Sequence, residues 1–187
     1  MPDADASDES LMQRFAAGEA LAFEELYRRH ELKVWRFLER SLRDRAAADD
    51  LMQDVWFAVA REAGRYRPSA KFTTWLFTLA RNRMIDWLRA KRPTVPLDDP
   101  YVAAPLEALR DPSPGPLART EAAEQGRAIL AALGALPHPQ REAFLLQADA
   151  ELGLEEIASV TGSSFETTKS RLRYARGRLR QLLAEYA

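Results

Sequence analysis

Seven of the chain's eleven prolines fall between Pro93 and Pro116, in PTVPLDDPYVAAPLEALRDPSPGP. Each proline removes an amide donor and clashes with the preceding turn, so no helix runs through such a stretch. The chain is thereby divided. The expected organisation is a disordered acidic leader at 1–8, a domain at 9–92, a flexible linker at 93–118 and a second domain at 119–187. A length of 187 residues suits two small domains. All four Trp precede the linker, so the two cores differ. Fully extended, the linker would reach roughly 85 Å.

Both halves read as all-α. No segment carries a convincing period-two strand pattern. The spacing of apolar residues predicts helices near 8–17, 20–42, 46–63 and 72–91 in the first half. In the second it predicts helices near 119–134, 138–149, 153–160 and 164–185. Gly18 separates the first pair, and Gly64 and Pro68 bracket a loop before the fourth helix. Pro137 and Pro139 mark a helix start, where proline is tolerated.

Charge is segregated, although the net charge is only −1. Residues 61–92 hold nine Lys/Arg against two acids, and residues 161–180 six against one. Residues 119–160 hold three Arg against seven acids. Two local basic patches in a near-neutral chain suggest two anion-binding surfaces.

The C-terminal patch has a definite shape. Glu156-Ile157-Ala158 followed by Gly162, then a basic helix, forms a helix-turn-helix pattern. Thr168, Leu172, Ala175, Leu179 and Leu182 make the packed stripe. Lys169, Ser170, Arg173 and Tyr174 are placed to meet base edges in a DNA major groove. Arg171, Arg176 and the Thr167 hydroxyl are better placed for phosphates. A solvated basic helix on an ordinary bundle is the plainer alternative, and the tight turn argues against it.

The other patch, Arg65 to Arg92, interleaves aromatics with cations. Phe72, Leu76, Leu79, Ala80, Met84, Trp87 and Leu88 form its core stripe. Thr74, Thr78, Arg81, Asn82, Arg89 and Arg92 lie on the other side. Such a surface suits single-stranded DNA: cations hold the backbone, an aromatic stacks, and an amide reads an extruded base. Phe77 and Trp87 read as core; for Trp75 core and DNA readings are balanced. Upstream, ADDLMQDVWFAVA places Asp50, Gln53, Asp54, Phe57 and Arg61 on one helix side, with Leu51, Val55, Ala58 and Val59 on another. An apolar Phe57 among carboxylates fits a protein-binding patch, against the plainer reading of a solvated acidic face.

Catalytic and metal signatures are missing from the sequence. There is no cysteine, and the two histidines are isolated. Both His30 and His138 are expected at the surface. No glycine-rich phosphate loop and no nucleophile–base pattern is present, so no enzyme, cofactor or small-molecule substrate is indicated. The acidic N-terminus lacks a signal-peptide pattern, and no apolar run is long enough to insert in a membrane. A cytoplasmic location is expected.

In this order, the segments FAAGEALAFEELYRRH, AAADDLMQDVWFAVAREAGRYRPSAKFTTWLFTLARNRMIDWLRAKR, LPHPQREAFLL and EIASVTGSSFETTKSRLRYARGRL resemble bacterial RNA polymerase sigma factors of the extracytoplasmic-function (ECF) type. The resemblance runs from about Leu11 to Leu183. It implies a region 2 bundle, a linker threading through the polymerase, and a region 4 helix-turn-helix. Asp50, Leu51, Gln53 and Asp54 match the segment that docks on the β′ clamp helices of core RNA polymerase. Asn82 matches a position that reads a flipped base of the −10 promoter element, and Lys71, Phe72 and Trp75 match neighbours used in strand opening. Region 4 would read the −35 element and meet the β flap. An anti-sigma factor commonly masks both surfaces in this family. Three positions depart from the family pattern: Glu166 stands where Gly is frequent, Thr168 where Val or Ile is usual, and Tyr174 where Arg is common. A buried Thr168 hydroxyl needs a partner. The alternatives are a stand-alone helix-turn-helix regulator, which would need dimer symmetry and leaves the aromatic-basic region idle, and a protein that only binds polymerase, which leaves the recognition helix unexplained. A nucleic-acid-processing enzyme would lack a metal or a nucleophile.

Overall fold

The computed structural model describes residues 6–91 and 121–184, and all regular structure among them is helical. Before the proline-rich segment stand α1 (Asp8–Ala16), α2 (Ala20–Leu42), α3 (Arg45–Glu62), a 3-10 turn at Ala63–Arg65, and α4 (Phe72–Lys91). After it stand α5 (Glu121–Gly134), α6 (His138–Ala148), α7 (Leu154–Thr161) and α8 (Phe165–Leu182). The all-α expectation holds, with helix ends moved by a few residues. The expected linker lies outside the described residues.

Local chemistry explains the breaks. Ser7 caps α1 by accepting from the Ser10 N–H at 3.2 Å, and Asp44 caps α3 by accepting from the Ala47 N–H at 3.0 Å. A hydroxyl or carboxylate at this position satisfies one of the amides that a helix start leaves open. Gly18, at φ 101°, turns the chain between α1 and α2, a conformation open to glycine and strained for other residues. Asp8 opens α1 and lies against α2, with its Oδ2 2.7 Å from His30 Nε2. His30 is therefore buried (5% exposed) rather than at the surface, and packs beside the Phe72 ring.

In the first half, α2 packs between α1 and α3, and α4 lies against α3. Phe37 and Phe77 meet edge-on, with ring centroids 5.6 Å apart, at the centre of a core that includes Leu26, Val34, Leu38, Val55, Leu76 and Met84. Burying each such side chain stabilises the fold by about 2 kcal/mol. The second half packs α8 across α6 and α7 around Leu145, Leu146, Ile157, Leu172 and Ala175. The two halves are not separate: α7 lies against α4, and α6 against α2.

Charge ties α2 to the start of α1. Glu25 on α2 is almost buried and accepts from both Arg28 Nη2 and Arg29 Nε at 2.7 Å. Arg29 then reaches Asp8 Oδ1 at 3.0 Å and the Ala6 carbonyl at 2.7 Å. The two guanidiniums hold the Glu25 carboxyl down to about 2. A carboxyl depressed in the fold stabilises it above the unfolded pKa, and that contribution disappears as pH falls through the folded value. Glu25→Gln is expected to lower stability at pH 7 and to flatten its decline between about pH 4.5 and 2. Denaturant titrations across that range check this; an unchanged slope would remove Glu25 from the acid response.

Candidate nucleic-acid interface

Three surfaces carry the chemistry expected from the sequence. The first is α7, a turn and α8. Gly162 ends α7 in the left-handed region (φ 65°), and the Ser163 N–H donates to the Ala158 carbonyl at 3.0 Å. This closes the helix end in the manner that favours glycine. Ser164 starts α8, its Oγ accepting from the Thr167 N–H at 3.1 Å. Thr168, Leu172, Ala175 and Leu179 are buried, so the opposite side of α8 faces solvent. Lys169, Arg173, Tyr174, Arg176 and Thr167 are exposed there, and Ser170 and Arg171 are half-buried. Arg176 Nη2 donates to Gln147 Oε1 on α6. The Arg173 guanidinium lies over the Tyr174 ring, 5.0 Å from its centroid.

The Thr168 hydroxyl finds its partner close by. It lies 2.8 Å from Ser163 Oγ, which is 2.9 Å from Thr161 Oγ1, which donates to the Ile157 carbonyl at 2.8 Å. This hydroxyl chain fastens the turn to both helices.

The second surface is α4. The Phe72 N–H donates to Glu9 Oε1 at 2.8 Å, so a carboxylate from α1 caps its start. Asn82 is exposed, as is most of Lys71. Trp75 is half-buried, its ring 5.1 Å from Tyr66 and 5.8 Å from Phe72. Two residues proposed for DNA contact are not at the surface. Phe72 is fully buried among His30, Tyr66 and Trp75, so it supports the surface from beneath. Arg81 is 9% exposed and pairs with Glu142 of α6, Nε–Oε1 at 2.8 Å and Nη2–Oε2 at 3.5 Å. Thr74, expected on the outer side, is also buried, with Oγ1 3.4 Å from Glu156 Oε1 on α7.

Glu156 is the second carboxylate that the C-terminal half lays on α4. It accepts from the Gly153 N–H at 2.7 Å and lies 3.1 Å from Lys71 Nζ. Burial works to raise its pKa, but Gly153, Lys71 and Thr74 outweigh that and hold it below the usual range. Two further pairs cross between the halves: Arg40 Nη1 to Asp149 Oδ1 at 2.6 Å, and Lys33 Nζ to Glu151 Oε2 at 2.8 Å. His138 is half-buried at the same junction, not at the surface. Burial, and the proximity of Arg141, Arg81 and Arg171, keep it below its ordinary pKa against the opposing Glu142. What the sequence reading missed is thus the contact of Glu142 and Glu156 with the α4 region. The acid excess of residues 119–160 against the basic excess of 61–92 was the available signal.

The third surface is the outer side of α3. Asp50, Gln53 and Asp54 are exposed, and Phe57 is 72% exposed in their midst. Leu51, grouped with them by resemblance, is 3% exposed; it points into the core and positions the helix. Among the described residues there is no His, Asp and Glu cluster suited to a metal ion, and no helix is long and apolar enough to cross a membrane.

Residues 26–94 match the Sigma-70 region 2 family and residues 126–179 match Sigma-70, region 4. The RNA polymerase sigma factor CarQ of Myxococcus xanthus is 38% identical over 181 residues, covering 93% of this chain and 96% of CarQ. The chain belongs to the ECF RNA polymerase sigma factors. The ECF sigma factor SigM of Mycobacterium tuberculosis is 33% identical, over 95% of this chain and 85% of SigM. A solved structure of CnrH in complex with the cytosolic domain of CnrY is similar with a TM-score of 0.71 at 25% identity, covering 97% of this sigma factor and all of CnrH. The α3 and α4 surfaces lie within the region 2 match, and the α7–α8 pair within the region 4 match.

Two measurements follow for this sigma factor. Ser163→Ala strands the buried Thr168 hydroxyl and is expected to cost about 1–3 kcal/mol; adding Thr168→Val should restore most of it. A double-mutant cycle by denaturant unfolding reads the coupling, and additive losses would dismiss the hydroxyl chain. Glu142→Ala takes the carboxylate from buried Arg81, a penalty on the order of 3 kcal/mol that separation of the halves relieves. The radius of gyration from small-angle scattering should rise at constant helical content; no rise would mean that the packed arrangement does not depend on the Arg81–Glu142 pair.

Proposed function

We propose that this ECF sigma factor docks on the β′ clamp helices of core RNA polymerase through Asp50, Gln53, Asp54 and Phe57. Holoenzyme formation brings two DNA surfaces to a promoter. Asn82, with Lys71 and Trp75, holds and reads the displaced strand of the −10 element. Lys169, Ser170, Arg173 and Tyr174 read the −35 element in the major groove, with Thr167, Arg171 and Arg176 on phosphates. The observation that carries this reading is the sidedness of α3, α4 and α8. Each buries an apolar stripe and keeps outside residue types its contact needs: carboxylates around a bare aromatic on α3, an exposed amide on α4 with Lys71 exposed just before the helix, and cations with an aromatic on α8.

Arg81 joins the −10 surface only when the halves part, because Glu142 holds it in the packed arrangement. Promoter binding therefore goes with opening of the molecule. The likeness to CnrH, solved in complex with the cytosolic domain of CnrY, supports a protein partner for this chain, and the partner we propose is an anti-sigma factor that holds it in a closed form. The chain acts in the cytoplasm, where the polymerase is, and contributes specificity and melting rather than chemistry of its own.

The test is transcription by core polymerase plus purified protein on genomic promoter templates, with transcript 5′ ends mapped. New start sites are expected. Their absence, together with a dimeric footprint by the free protein, would replace this reading with that of a stand-alone regulator. Asn82→Ala should reduce promoter opening at least several-fold with polymerase binding kept. Asp54→Arg should weaken binding to isolated β′ clamp helices, and unaltered affinity would reject the α3 surface.

A further inference from the structure

We propose that Glu166 is a specificity determinant, reading a cytosine in the −35 element about three base pairs from the pair addressed by Arg173. The proposal rests on the reading of α8 as the −35 helix.

Helix geometry places Glu166 on the midline of the solvent-facing side of α8, at its N-terminal end. Thr168, Leu172, Ala175 and Leu179 are spaced i, i+4, i+7, i+11 and form the buried stripe. Glu166, Ser170, Arg173 and Gly177 have the same spacing, displaced by two residues. Two residues of an α-helix turn about 200°, so this second line lies opposite the buried one. Lys169 and Tyr174 flank it. Glu166 is in the first turn, the part of a recognition helix that reaches base edges. Its side chain is 77% exposed, and Lys169 Nζ is 3.9 Å away, the outer limit of an ion pair. The carboxylate is therefore available and has a cation beside it to moderate its approach to DNA.

The chemistry then selects the base. A carboxylate only accepts hydrogen bonds and is repelled by phosphate, so a backbone-positioning role is closed to it. In the major groove guanine shows two acceptors and thymine one acceptor and a methyl group. Adenine sets an acceptor beside its donor, where the second carboxylate oxygen would be. Cytosine offers its N4 amino donor without that conflict. Along the same edge Arg173 is seven residues further on, a rise of about 10 Å, or about three base-pair steps at roughly 3.4 Å each. Arg173 favours guanine, and Tyr174 holds it in place: besides the ring stacking, Arg173 Nη2 donates to the Tyr174 hydroxyl at 3.3 Å. The edge is therefore polarised, with a donor-seeking group at the helix start and an acceptor-seeking group two turns on.

The test uses holoenzyme made from the full chain and core polymerase on promoters randomised across the −35 region, with sequence preference read from transcript yield. The wild type should favour cytosine at one position roughly five- to a hundred-fold, about three pairs from a guanine whose preference Arg173→Ala removes. Glu166→Gln should move the first preference from cytosine toward adenine, since an amide pairs with adenine's donor and acceptor. Glu166→Gly should flatten that position and leave the Arg173 position selective. If both variants keep the wild-type preference while thermal unfolding shows only a change in stability, Glu166 is a helix-start residue and the proposal is overturned. If the wild type shows no −35 preference, or none that Arg173→Ala alters, the −35 reading of α8 falls and takes the proposal with it.

Discussion

A buried guanidinium without a partner is costly, and Arg81 is held against a carboxylate from the other half of the chain. That requirement sets much of the architecture. Glu142 has to come from α6, which places α7 across α4 and brings Glu156 to Lys71 and Thr74. The same contact covers part of a surface whose cations suit nucleic acid. Carboxylates of the second half thus pair, within the molecule, with the cations that the proposed function assigns to DNA. The remaining cross-chain pairs, Lys33 with Glu151 and Arg40 with Asp149, are more open to solvent on their basic side. They align the halves more than they bind them, as exposed pairs generally do.

What was legible in the sequence was everything set by short-range pattern. The helices follow from apolar spacing and from Gly18 and Gly162, and the helix-turn-helix from a glycine at a fixed distance from Ile157. The faces of α3 and α8 were also readable, because each depends on one helix packing within its own domain. The face of α4 was not. Its periodicity put Thr74 and Arg81 on an outer side, and the residues that bury them lie more than sixty positions away. Helical periodicity distinguishes one side from another but carries no information on what a distant segment lays over it. His30 failed for a related reason: an imidazole in a charged stretch looks solvated until Asp8 is seen to fold back on it.

The second half shows how a reading head is kept stiff with little mass. Two elements, the short α7 and the longer α8, meet at an angle fixed by a left-handed glycine, a serine cap and a run of three hydroxyls. None of these interactions is strong singly, but they act on adjacent residues and each removes a rotation. Thr168 is informative here. A branched aliphatic residue would fill its site equally well, and the hydroxyl makes sense only together with Ser163.

The carboxylate of Glu9 closes the start of α4, and α1 supplies Leu11 and Met12 to the core. Both lie ahead of residue 26, where the match to region 2 begins. The unit defined by similarity and the unit defined by packing therefore have different edges. A fragment cut at the similarity boundary would begin inside α2, lacking one wall of its interior and the group that terminates α4. Its loss of structure would then report on a missing buttress, with no bearing on the surfaces that α3 and α4 present.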